Sequence, residues 1–212
     1  CVEDGACCIN QAPVGWINEL HYDNGSTDIN EFVEIVLLDG IDPSTVTLTL
    51  YDGNGGTVYA SYNVASDMTL GEVGTGYAIY SILHSGIQDG APDGVSLDVS
   101  GVVFDFISYE GSMLASEGPA SGMTSVDIGV SESSGTTVDS SLGRRGTGGT
   151  PNAFTWVEFV DLATNGDSNV GQVISPGGVT TCDVMSLSDC SELGGTFQGS
   201  GTDCLDNCDL GN

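Results

Sequence analysis

The chain contains no lysine. Its only fixed cations are Arg144 and Arg145, set against 30 acidic residues, for a formal net charge of -28. A surface so short of positive charge repels phosphate backbones, which argues against nucleic-acid binding. The missing lysine also removes Schiff-base chemistry. Histidine is nearly as scarce: His21 sits between Leu20 and Tyr22 in an expected strand, and His84 follows Leu83 at a strand end. Neither adjoins a nucleophile motif, and there is no Gly-x-Ser-x-Gly elbow and no phosphate-binding loop. No apolar run reaches the roughly 20 residues that a spanning helix needs, so membrane insertion by a helix is not expected. Cysteine is absent from the 173 residues between Cys8 and Cys182. Residues 13–178 also lack any amphipathic helical stretch of useful length.

What remains is strand and turn. Val46, Leu48 and Leu50 alternate with Thr45, Thr47 and Thr49, the period-two pattern of a half-buried strand. Asp52-Gly53-Asn54-Gly55-Gly56 turns the chain into Thr57–Asn63, and Ser100-Gly101 joins Val95–Val99 to Val102–Tyr109, giving two expected hairpins. Trp16–Tyr22, Glu31–Leu38, Tyr77–Leu83 and Phe154–Val160 read as further strands. About eight strands at this spacing predict an all-β antiparallel sandwich or barrel. Its expected core includes Trp16, Val33, Ile35, Leu48, Leu50, Phe104 and Phe106. The polar stretch Ser131–Ser141 reads as an exposed loop.

Among so many acids, Glu19, Asp23, Asp28, Glu31 and Glu34 form the strongest candidate site, on two adjacent expected strands and the loop joining them. Glu34 shares its expected sheet face with Phe32 and Val36. A carboxylate on an apolar face needs a partner, and a hard cation with oxygen ligands, calcium above all, would serve. Asn165-Gly166-Asp167-Ser168-Asn169 also offers alternating oxygens, but it lacks the glycine and terminal glutamate of an EF-hand loop and reads better as a turn. Asn24-Gly25-Ser26 is the single N-glycosylation sequon, which makes Asn24 a glycosylation candidate. Arg144 and Arg145 have two readings: salt bridges within the chain, or a docking point for the acidic face of a neighbouring copy.

Seven cysteines cluster at the ends: Cys1, Cys7 and Cys8, then Cys182, Cys190, Cys204 and Cys208. No Cys-x-x-Cys pair is present, and the histidines are far away in sequence, which disfavours zinc. Disulfides are the natural reading, and they place the protein in an oxidising compartment, outside the cell or on its surface. Vicinal cysteines rarely bond each other, so Cys7 and Cys8 are expected to seek distant partners. Six cysteines allow about 15 connectivities, which remain open. With six paired, Cys1 is the odd one and a candidate for intermolecular bonding. A short helix is expected near 187–193, capped by Ser186 and stopped by Gly194-Gly195.

Two resemblances add to this reading. Trp16-Ile17-Asn18-Glu19-Leu20-His21-Tyr22-Asp23-Asn24, then Glu31-Phe32-Val33-Glu34-Ile35, resembles the opening of the lamin-tail domain family, in the branch found in secreted bacterial multidomain proteins including some nucleases. The likeness continues through Gly86–Gly94, Phe106–Gly111, Thr124–Val130 and Phe154-Thr155-Trp156. It implies an immunoglobulin-like β-sandwich and an accessory or interaction role without catalysis. Gly5-Ala6-Cys7-Cys8, with Asp189-Cys190, Leu193–Gly199 and Gly201-Thr202-Asp203-Cys204, resembles a short cysteine-rich repeat of exported bacterial proteins. That resemblance implies a sandwich (13–178) inserted into one split disulfide knot (1–12 and 179–212) built from Cys7, Cys8, Cys182, Cys190, Cys204 and Cys208.

The functional expectation is a non-catalytic extracellular structural or interaction module, as a subunit of a cell-surface or filamentous assembly. Its partners would be other copies of itself, surface proteins or glycans. The alternative is a calcium- or carbohydrate-binding accessory domain of a larger secreted hydrolase such as a nuclease.

Overall fold

The computed structural model describes residues 5–11, 14–25, 27–90, 92–176, 179–185 and 196–200, with the first and last two segments given by backbone course alone. In chain order the strands are β1 (Gly5–Gln11), β2 (Gly15–His21), β3 (Phe32–Leu38), β4 (Val46–Asp52) and β5 (Thr57–Asn63). A single helical turn, α1 (Val64–Asp67), follows. Then come β6 (Thr69–Gly74), β7 (Tyr77–Leu83), β8 (Asp93–Val99), β9 (Val102–Tyr109), β10 (Val126–Asp127), β11 (Ser141–Gly148), β12 (Phe154–Phe159), β13 (Gln172–Ile174), β14 (Val179–Met185) and β15 (Thr196–Ser200). The protein is all-β. Its only α-helical turn among the described residues is capped by Asn63, whose side chain accepts from the Ala65 and Ser66 amides.

The chain divides into two compact units, Val14–Pro176 and Cys1–Pro13 with Gly177–Asn212. In the larger unit, β10-β9-β8-β4-β5 form one sheet and β12-β11-β2-β3-β7-β6 the other, with β13 added beside β11. The pairings are antiparallel except β10 with β9 and β13 with β11. The expected hairpin β4–β5 forms with Leu50 opposite Ala60, and β8–β9 forms with Val99 opposite Val102.

Alternation decides what the two sheets bury between them. Val33, Ile35 and Leu37 of β3 meet Leu48 and Leu50 of β4, and Val95 and Leu97 of β8, in one core cluster. A bulge in β2 between Ile17 and Glu19 shifts the parity, so Ile17 and Leu20 both reach that core although they are three residues apart. The same bulge sets Glu19 directly across from Glu34.

The opposite face of the larger sheet carries a second cluster, Trp16, Val36, Leu38, Tyr77, Ile79 and Phe154. Trp16 is therefore buried as expected, but outside the intersheet core. Phe106 belongs to a third cluster with Tyr51 and Met113, and Phe104 is only half-buried against the main core.

The smaller unit holds a three-stranded antiparallel sheet, β14-β1-β15. Its register sets Cys8 across from Cys182 and Cys7 across from Asp183. Cys1, Cys190, Cys204 and Cys208, with the helix expected near 187–193, lie outside the described residues.

Candidate functional site

The five acids expected to share one ion divide into two groups. Glu19 and Glu34 lie on the outer face of the larger sheet, wholly buried. The chain leaving β12 packs over them and is tied down by their oxygens. Glu19 Oε1 accepts from the Thr164 amide at 3.1 Å and from the Ser141 hydroxyl. Glu34 accepts from Asn18 Nδ2 at 2.8 Å and from the Gly166 amide at 2.6 Å. Around them, Asn18 and Gln172 bond through reciprocal amides at 2.7 and 3.1 Å, and Asn169 Nδ2 donates to the carbonyls of Asn18 and Arg144. These two glutamates have their partners within the protein, Ser141 and Asn18 on neighbouring strands and Thr164 and Gly166 on the covering loop. They act as buttons for that loop.

Burial raises the pKa of both glutamates, and the charge of Glu19 adds to the effect on Glu34, pushing it up to about 8. The donors around the pair decide where a shared proton sits. Thr164 Oγ1 lies 2.7 Å from Glu19 Oε2 and 2.9 Å from Asn169 Oδ1, two acceptors for one hydroxyl proton. Asn169 cannot turn its amide over, because Nδ2 already serves two carbonyls. A proton on Glu19 Oε2 resolves the conflict, with Glu19 donating to Thr164 and Thr164 donating to Asn169. Glu34 meets donors on both oxygens, which suits the ionised form. The pair titrates as one unit, and the hydrogen-bond pattern assigns its proton to Glu19.

Asp23, Asp28 and Glu31 belong to the other group, at the end of the sandwich where β2 runs into the loop before β3. His21 closes β2 there, completely buried, with Nδ1 2.8 Å from Glu132. The second Glu132 oxygen accepts the Tyr22 and Asp23 amides at 2.6 and 3.1 Å. Asn24 Nδ2 donates to Ile29 O and to His21 Nε2, both at 3.0 Å. That fixes the imidazole, in the geometry seen, as the neutral form protonated on Nδ1. Burial opposes charging His21, but Glu132, helped by Glu31 and Asp23, outweighs it and raises the pKa. The Asn24 amide is buried and both its hydrogens are engaged, so it is not presented as an exposed glycan acceptor.

Asp89, in the loop between β7 and β8, completes this end. Asp23, Asp28 and Asp89 each direct a carboxylate oxygen within 4.8 Å of the others. Asp23 is raised by burial and by its neighbours Asp28, Asp89, Glu132 and Glu110. Glu31 is held differently, accepting the Gly86 amide. Sequence spacing pointed to Asp23 and Asp28 but missed Asp89, which is 61 residues further along than Asp28. The only signal for it was its place in the Gly86–Gly94 loop, one of the segments that resemble the lamin-tail family.

Arg144 does not form an exposed docking point. It is 6% exposed, donates to the carbonyls of Ile17 and Pro151 at 2.8 and 3.0 Å, and lies 3.5 Å from Asp105. Its guanidinium sits 4.8 Å from the centre of the Trp156 ring. Of the two readings for the arginines, Arg144 takes the internal one. Arg145 is exposed, donating to Val170 O and lying against Phe159.

No family model, curated protein or solved structure matches the chain. Its chemistry is that of acceptors in excess. Buried carboxylates hold loops through backbone amides, and one end of the sandwich gathers acids around His21.

Proposed function

We propose that the protein is a non-catalytic extracellular structural or interaction module, an immunoglobulin-like sandwich of the lamin-tail type set into a disulfide-bonded unit. One observation carries this reading. The side chains best suited to chemistry are spent on fixing loops: His21 is bonded on both ring nitrogens, Glu19 and Glu34 anchor the loop after β12, and Arg144 ties β11 to β2. Loops held this firmly on a rigid scaffold present a fixed surface to a partner. The cysteine clusters support an oxidising, extracytoplasmic setting.

Partners are other copies of the chain or surface proteins. Electron microscopy and light scattering of the full chain, with and without reductant, test this. Ordered assemblies lost on reduction are the expected result, and uniform monomers under every condition would reject the assembly role.

A second reading has its own support. A cavity of about 470 Å³ between the β9–β10 and β12 edges is lined by Trp156, Phe104, Asp105, Asp127 and Asn152. An aromatic ring flanked by carboxylates and an amide suits a sugar ring, the surface of a glycan-binding accessory domain. Loss of glycan binding on Trp156→Ala, in a glycan array, would support that role over assembly.

A further inference from the structure

We infer that a calcium ion binds between the β2–β3 loop and the β7–β8 loop, held by Asp23, Asp28 and Asp89, and that it pins those loops together. The inference is separate from the module reading above and survives if that reading fails.

Three carboxylate oxygens within 4.8 Å of one another have the spacing that one ion with oxygen ligands at about 2.4 Å permits. A cluster of acids alone would be only a patch of charge. The second observation is what surrounds it. Asn24 is 1% exposed and Glu31 2% exposed, yet Asn24 Oδ1 and Glu31 Oε1 have no hydrogen-bond partner. Both belong to the segment that carries Asp23 and Asp28.

Their positions are fixed by what their other atoms do. The Asn24 amide nitrogen is committed to His21 and Ile29, so its oxygen is turned away from both, while the Asn24 backbone N–H donates to Asp28 at 3.2 Å. Glu31 gives one oxygen to the Gly86 amide, and the other is left free; Glu31 and Asp28 line the same cavity of about 390 Å³. Leaving a buried acceptor unpaired is costly, and an acid among acids costs more. Asp93, near Asp89, has a third buried oxygen without a donor.

Every unmet group here is an acceptor, and the imidazoles nearby are already engaged: His21 is neutral in this geometry, and His84, which lines the cavity with Asp28 and Glu31, bonds the Tyr62 hydroxyl through Nδ1. A cation held by the three aspartates offsets this local excess of acceptors. The ligands are hard oxygens from two irregular loops, with a neutral amide close by, which favours calcium's irregular coordination over the strict octahedron of magnesium.

Terbium provides a direct probe, because Tyr22 precedes Asp23 and the Tyr109 hydroxyl donates to the carbonyl of Gln88, next to Asp89. Tyrosine-sensitised terbium luminescence on the full chain should saturate and be displaced by calcium, and calorimetry with calcium should give one site. Asp28→Asn and Asp89→Asn should each weaken calcium binding by about tenfold or more, since fewer ligand charges lower affinity. Asp39→Asn, an exposed acid outside the cluster, matches the change in net charge and should leave binding unaltered. Far-ultraviolet circular dichroism confirms that each variant is folded. Asp89 is exposed and makes no structural bond, so that variant keeps the test open if Asp28→Asn misfolds. No saturable calcium binding to the native chain, or equal affinity in native, Asp89→Asn and Asp39→Asn proteins, overturns the inference.

Discussion

Glu19 shows how far a single residue's role depends on its neighbours' protons. Its carboxylate receives the Ser141 hydroxyl on one oxygen and the Thr164 amide across both, at 3.1 and 3.3 Å, while the second oxygen also faces a threonine hydroxyl already needed by Asn169. A glutamine at this position supplies the missing hydrogen: its carbonyl takes the Oε1 bonds and its NH2 donates to Thr164. Glu19→Gln should therefore cost under about 1 kcal/mol in urea unfolding, well below most buried substitutions. Glu19→Ala should cost roughly 2–4 kcal/mol, because it leaves buried donors without acceptors. Glu34→Gln is the contrasting case. Both Glu34 oxygens face donors, so an amide NH2 must oppose one of them, and this variant should be clearly less stable than Glu19→Gln. Equal losses at the two positions would contradict the assignment of the proton to Glu19.

At the scale of elements, the strands with clean alternation were legible and the others were not. Tyr77–Leu83 and the two hairpins follow directly from period-two patterns bounded by glycine turns. β11, Ser-Leu-Gly-Arg-Arg-Gly-Thr-Gly, has no such pattern, yet it is paired on both sides, with β2 and β12. Packing explains its composition. A Cβ on Gly143 would stand 2.7 Å from the Asn169 amide and 2.9 Å from the Phe159 ring, so glycine is required where loop and strand meet. β6 is an edge strand that pairs with β7 across the Thr75-Gly76 turn, and β13 is a three-residue piece whose parallel pairing with β11 is set by tertiary structure.

The candidate site was legible to the same degree. The face of Glu34 could be read from its strand parity, but its loop partners and Asp89 are brought in by tertiary structure. The terminal sheet gives a prediction at this scale. Its register sets Cys8 opposite Cys182, and directly opposed residues of antiparallel strands have Cβ atoms about 4.5–5.5 Å apart, close to the reach of a disulfide. Non-reducing peptide mapping should find Cys8 linked to Cys182. A Cys7–Cys8 bond, or Cys8 joined to Cys204 or Cys208, would contradict that register.

For the whole molecule, two effects make stability fall as pH rises, and salt separates them. The net charge of -28 makes the surface repel itself once its acids ionise. The buried acids act in the same direction for another reason. Glu19, Glu34, Asp93 and Asp105 all have raised pKa values, with burial the largest cause in each, and Glu34 and Asp93 are pushed up to about 8 and about 6. Between the ordinary carboxylate range and those values, the folded chain holds protons that the unfolded chain has released. Stability is then greatest near the unfolded values and is lost as pH rises toward 8, each tenfold change in proton affinity being worth about 1.4 kcal/mol. His21, also raised, adds in the same sense: its contribution is complete below its ordinary value and fades as pH passes the folded one.

Screening distinguishes the two, because the Debye length shrinks from about 30 Å at 0.01 M salt to about 3 Å at 1 M. Surface repulsion disappears at high salt, while a buried carboxylate pair is little affected. Urea unfolding from pH 5 to pH 8 should therefore show a steep fall at low salt and a shallower one that persists at 1 M sodium chloride. Glu19→Gln should flatten the persistent part, since it removes the carboxyl group that carries the pair's proton. A pH dependence abolished entirely by salt would assign all of it to the surface and leave the buried pair without a titration of its own.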